Sequence, residues 1–185
     1  MKEKIVISLI IIFSAGCNSI RNLSVEQFEC SNESFRYDSS LTDNEGVKYY
    51  IQEEFVYNAT EKYTVESLIE QYDRFLELEK TPTRNIHDTT IVDTIYEFKN
   101  KNNIISFYRA RHKDLLKEFD VSSSVFPLHG CVSVELPKDS LANKFGIKEP
   151  LSDTIRIGDE ERSTVFTFYF SKGKIDRIIS MPYFD

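Results

Sequence analysis

Residues 164–181 read TVFTFYF SKGK IDRIISM, and this stretch decides the fold. Two runs rich in β-branched and aromatic residues flank a polar, glycine-containing break at Ser171 to Lys174. That pattern predicts an antiparallel hairpin with strands at Thr164 to Phe170 and Ile175 to Met181. In the first strand Phe166, Phe168 and Phe170 fall on one face, and Val165, Thr167 and Tyr169 on the other. Both faces are therefore apolar. Such a strand is either central and covered on both sides, the commoner arrangement, or has one face left as a protein-binding surface.

Working outward, Thr154 to Ile157 reads as a further strand. Asp139 to Phe145 reads as a short helix stopped by Gly146, a residue suited to the left-handed position after a helix. Pro137 starts a turn, and Cys131 to Glu135 reads as a strand. Upstream, Ile91 to Lys99 and Ile104 to Arg111 flank Asn100 to Asn103, whose asparagines tolerate a tight turn, so a second hairpin is expected. Lys113 to Val121 fits a short helix or a third strand. Thr64 is an N-cap candidate, with Glu66 placed to favour the helix dipole. Val65, Leu68, Ile69, Tyr72, Phe75 and Leu76 follow at helical spacing, which predicts a helix ending near Lys80, before Pro82. A polar loop from Thr81 to Thr90 would follow it. Val47 to Tyr57 suits either a strand or a short amphipathic helix.

These elements predict an α+β domain over residues 45–185: an antiparallel β-sheet meander with helices packed on one face. Helix, polar loop and hairpin occur twice in that order. Ser67, Leu68 and Tyr72 align with Ser140, Leu141 and Phe145 at one offset, and Phe98 aligns with Phe170 at nearly the same one. A tandem α-β-β repeat over 61–121 and 131–185, or coincidence among common residue types, accounts equally for these matches.

The chain carries 23 Lys+Arg and 30 Asp+Glu, a formal net charge of −7. Nucleic acid and anionic lipid surfaces are poor partners for such a field. A protein partner, basic if charge contributes, is better matched; solubility alone also explains an acidic surface. Chemistry-bearing clusters are few. His129-Gly130-Cys131 could supply a nucleophile and a base, but a disulfide or structural role is the more economical reading. His87-Asp88 and His112 lack metal-ligand spacing. Asp159-Glu160-Glu161 and the acidic stretch Asp38 to Glu45 lack the alternating ligands and glycine of a calcium loop. With no phosphate loop, GxSxG elbow or HExxH, no catalytic residue, metal site or cofactor is assigned.

The N-terminus supplies an address. Lys2 and Lys4 precede the apolar run Ile5 to Phe13, and small residues Ser14, Ala15 and Gly16 lead to Cys17: the layout of an export signal over 1–16. The run is too short to span a bilayer core, which takes about 20 apolar residues. Phe13-Ser14-Ala15-Gly16-Cys17 resembles the lipobox of bacterial lipoproteins. The resemblance implies cleavage before Cys17, lipidation of its thiol and acylation of the new N-terminus, hence a membrane partner through the lipid anchor. Several acyl chains anchor stably where one does not, at about 0.8 kcal/mol per buried CH₂. Asn18, in place of an aspartate retention signal, implies the outer membrane within the cell envelope. Residues 17–44 then read as a lipidated, Ser/Asn/Asp-rich tether. Loss of residues 1–16 removes Lys2, Glu3 and Lys4, taking the net charge to −8.

Cys30 and Cys131 remain as an even pair in a compartment that permits disulfides, and a bond between them is expected. Closing so long a loop contributes up to about 4.7 kcal/mol in the chain-entropy account. Finally, Leu136 to Pro150, with Phe145, Gly146 and Pro150 marking the turn after its short helix, is similar to small outer-membrane-assembly lipoproteins and β-lactamase-inhibitor-protein-like domains. That resemblance implies a noncatalytic fold presenting a sheet surface to another protein. Two functions follow as expectations: an envelope-assembly or protein-binding module, or an immunity or inhibitor protein that neutralises a toxin or enzyme. An enzyme using Cys131 and His129 is the third.

Overall fold

The computed structural model describes residues 33–85, 87–111 and 113–182. Its strands are β1 (Ser39–Thr42), β2 (Lys48–Ile51), β3 (Glu77–Arg84), β4 (Val92–Lys99), β5 (Asn103–Ala110), β6 (Lys113–Val121), β7 (Thr154–Gly158), β8 (Val165–Ser171) and β9 (Lys174–Ser180). The helices are α1 (Glu53–Asn58), α2 (Val65–Tyr72) and α3 (Lys138–Phe145), with a 3₁₀ turn at His129–Cys131. Among the described residues these strands form one sheet in the order β1-β2-β7-β8-β9-β6-β5-β4-β3. The class is α+β, dominated by strand. The sheet is mixed, not wholly antiparallel, because β2 and β7 run parallel. A parallel neighbour needs a long crossover; here it contains α1, α2, the β3–β6 meander and α3.

Both hairpins read from the sequence are present, the first without any left-handed asparagine. In the β4–β5 turn the Asn100 side-chain oxygen accepts from the backbone N–H of Asn102 (2.9 Å) and Asn103 (3.0 Å). In the β8–β9 turn Lys172 and Gly173 both take positive φ, 51° and 77°, the backbone of a tight hairpin turn. Lys113–Val121 resolves to a strand. Val47 to Tyr57 divides into both of its alternatives: β2, then α1, whose first turn is capped by the Gln52 side chain accepting from Phe55 N–H.

Other expectations fail at particular elements. The helix begun at Thr64 is capped as expected, with Thr64 and Ser67 bonded reciprocally, but it ends at Tyr72, not Lys80. Leu76 is buried and Phe75 is 48% exposed. From Glu77 the chain becomes β3, paired with β4 along eight register positions. Helical spacing continues through Phe75 and Leu76, but a longer helix would strip β4 of its outer partner, so tertiary pairing overrides local pattern. Pro82 is tolerated because β3 is an edge strand. Second, Cys131 to Glu135 is not a strand. Gly130, Cys131 and Glu135 have φ of 63°, 61° and 70°, which breaks an extended ladder, although Val132 and Val134 are still buried. For β8, of the two arrangements read from the sequence, the doubly covered one does not hold: the strand is central but covered on one face only. Phe166, Phe168 and Phe170 are buried, whereas Tyr169 is 38% exposed and Val165 and Thr167 are half-buried.

The core lies on the Phe166 side, where Phe55 of α1, Leu68 and Tyr72 of α2, and Leu141 and Phe145 of α3 join it. Gly146 (φ 67°) closes α3, its N–H directed to the carbonyls of Ala142 and Asn143. Upstream of the expected boundary at residue 45, β1 pairs with β2, and Phe35 is buried between Phe55 (5.3 Å) and Phe145 (5.2 Å). Residues 33–44 therefore contribute to the folded body. No helix among the described residues is long and apolar enough to cross a membrane.

Candidate binding surface

Alternation along each strand places half of the sheet's side chains opposite the helices. In the β1–β8 half of that face, Tyr49, Arg156 and Thr167 share a register row that continues to Ile179. They line a hollow of about 340 Å³ together with Asp43, Arg162, Val165 and Met181. Tyr49 donates its hydroxyl to the Asp159 carbonyl at 2.6 Å. Burial, helped by the Asp159 charge, pushes its pKa up to about 12. The Arg162 guanidinium lies 5.2 Å above the Tyr49 ring, a cation–π placement. Arg156 is held by Asp43 and by Glu45 (2.6 Å). Burial alone would raise the Asp43 carboxyl, but the backbone N–H groups of Val47 and Glu45, with Arg156, hold it below its ordinary value.

The β3–β6 half carries two further rows. One crosses Glu79, Glu97, Ser106 and Glu118; the other crosses Ile95, Tyr108 and Leu115. Lys99 bridges Glu79 (2.6 Å) and Glu97 (2.9 Å). Where the halves meet, Arg177 forms a bidentate pair with Asp120. The face thus mixes half-buried Ile95, Ile104, Leu115 and Ile179 with charged groups on rigid strands.

A second depression, about 800 Å³, lies on the helix side between the α1–α2 connection and the β5–β6 hairpin. Its central cation is satisfied internally: Arg109 bonds Asp114 at 2.5 Å and Glu66 at 2.7 Å and stacks on Tyr96 at 5.1 Å. Arg109 draws the Asp114 carboxyl below its ordinary value against the effect of burial, and the Val65 N–H (3.1 Å) adds to the lowering.

Of the residues singled out in the sequence, Cys17, Cys30 and His112 lie outside the described residues. Cys131 is disulfide-bonded, so its sulfur is not a free thiol. His129 Nε2 lies against the Glu33 carboxylate, and its ring packs 5.7 Å from that of Phe35. His87 sits in the β3–β4 loop. Asp159 is buried and organises its own loop, accepting from Ser163 N–H (2.8 Å), Ser163 Oγ (2.6 Å) and Thr164 N–H (2.9 Å). Among the described residues no cluster of three or more His, Cys, Asp or Glu could hold a metal. Sequence reasoning passed over Tyr49, Arg156, Arg162, Glu97, Ser106 and Glu118. Alternation against Phe98 and Ile105 could have put Glu97 and Ser106 on one face, but their adjacency needs the cross-strand register. No known family, curated protein or solved structure matches this chain.

Proposed function

We propose that this chain is a bacterial lipoprotein, exported through residues 1–16, lipidated at Cys17 and held at the outer membrane. Its single domain serves as a noncatalytic protein-binding or envelope-assembly module, with Cys30 bonded to Cys131. The observation that carries the binding role is the uncovered face of the sheet, where half-buried apolar side chains and Tyr169 lie opposite the helices. A domain with helices on one side only leaves a flat, rigid surface, and rigid strands position side chains for recognition at little entropic cost.

The duplicated organisation is part of the same reading. α2 is followed by the β3–β6 meander and α3 by β7–β9, and the two meanders meet along β6 and β9. Leu68 and Leu141 are both fully buried. Phe98 and Phe170 each lie near the end of the second strand after their helix. This supports a tandem repeat over 61–121 and 131–185.

A photoreactive residue at Tyr169 tests the binding role in intact envelopes. A discrete cross-linked adduct is expected from Tyr169 and not from Asn58 on the helix side; equal labelling from both, or none, defeats the reading. For the anchor, Cys17→Ser should move the protein from the membrane fraction to the soluble one. The inhibitor alternative predicts that the cross-linked adduct is an enzyme or toxin whose activity falls on binding.

A further inference from the structure

We infer that the Glu97–Ser106–Glu118 row on the uncovered sheet face receives a lysine or arginine head group of a basic protein partner. This rests on the reading of that face as the docking surface. The row crosses β4, β5 and β6 in register, so Ser106 has a glutamate on each side. Directly opposed side chains on neighbouring strands start about 4.5–5.5 Å apart at Cβ, which lets both carboxylates reach a group above the middle strand.

Ser106 is the unusual member. Ile105 and Phe107 on either side of it point into the core, so its hydroxyl points to the glutamate face. It is fully buried, yet its Oγ has no hydrogen-bond partner among the described residues. A buried hydroxyl without a partner is costly, and a donor inserted between the two glutamates would satisfy it. The same face already binds an ammonium this way: Lys99 lies between Glu79 and Glu97, one strand over. Glu118 has no ion pair among the described residues, so the next position along the row offers a carboxylate, a hydroxyl and the second side of Glu97. An ammonium carries three donors and a guanidinium five, enough for all three acceptors.

The surroundings fit the rest of such a side chain. Ile104 and Tyr108 lie on the same face of β5, half-buried, and give an aliphatic stem a surface to lie along. In this row and the neighbouring one, Glu77, Glu79, Glu97 and Glu118 oppose Lys99, while Asp120 and Arg177 neutralise each other. The local field therefore favours a cation.

The test is calorimetric titration of the full chain in detergent with a hexalysine peptide, at low and at physiological salt, with hexaglutamate as the control. Hexalysine should bind, and Glu118→Gln should weaken it at least about tenfold, the scale of losing one partner of a close charge pair. Ser106→Ala should weaken binding by a smaller factor, and Glu160→Gln, in the β7–β8 loop, should leave it unchanged. Equal losses from Glu118→Gln and Glu160→Gln, or no binding of hexalysine, overturn the inference. Thermal unfolding of each variant checks that the fold is retained. If this row fails while Tyr169 still cross-links in envelopes, only the cation site is lost; if Tyr169 also gives no adduct, the docking surface itself is wrong.

Discussion

Gly158 ends β7 beneath the Tyr49 hydroxyl. A Cβ placed there would lie 2.1 Å from Tyr49 Oη and 3.0 Å from the Thr164 carbonyl oxygen. Tyr49 is buried and its hydroxyl is committed to Asp159, so it has little room to give way. Gly158→Ala should destabilise the domain by about 1–3 kcal/mol in urea unfolding, the usual range for overpacking. Ser180 is the opposite case. Its hydroxyl is buried without a partner among the described residues, between Phe166 and Phe119 in the register. Ser180→Ala removes that polar atom without adding volume, and stability should be unchanged or rise by up to about 1 kcal/mol. Neither effect can be seen in a linear sequence, because each depends on the residue standing across the strand. What could be read at this scale was local: Thr64 as an N-cap, Gly146 as a helix stop, and the asparagines of the β4–β5 turn. Those residues satisfy backbone groups within three or four positions of themselves.

At the scale of elements, the shortened α2 shows how local and long-range demands compete. Val65, Leu68 and Tyr72 are buried as their spacing requires, but Phe75 and Leu76 lead into a strand. The β5–β6 hairpin is then tied back to α2 through Arg109, which joins Asp114 to Glu66. The Asp114 carboxyl lies below its ordinary value in the folded chain, chiefly through Arg109. A carboxyl depressed on folding stabilises fully above its unfolded value, and that contribution fades as pH falls through the lower folded value. Asp114→Asn should therefore lower stability by about 1–2 kcal/mol at neutral pH. The gap between it and the parent protein should hold down to about pH 4 and close below that. Urea midpoints measured from pH 7 to pH 2 check this; a gap that stays constant down to pH 2 would contradict it.

For the whole molecule, the N-terminal part of the described chain belongs to the fold. Phe35 contacts Phe55 and Phe145, and its N–H donates to the Lys144 carbonyl at 2.6 Å. Phe35→Ala should cost about 3–5 kcal/mol, as for other buried aromatic truncations. A chain beginning at residue 45 should likewise unfold at lower urea concentration than one beginning at 33. Composition hid this, because one buried phenylalanine among Ser, Asn and Asp residues does not alter the polar average of the stretch.

By itself the sequence determined the apolar alternation that makes β4, β5, β8 and β9 strands, the turns that close their hairpins, the cap that starts α2 and the stop that ends α3. Each of these follows from steric and hydrogen-bonding preferences acting over a few residues. Only the tertiary structure decided that β2 lies parallel to β7, that residues 77–84 are an edge strand and that one face of β8 stays open. It also set Ser106 between Glu97 and Glu118. Those outcomes depend on which distant segments bury each other's surface and complete each other's backbone hydrogen bonds, and that is settled by the register of the assembled sheet.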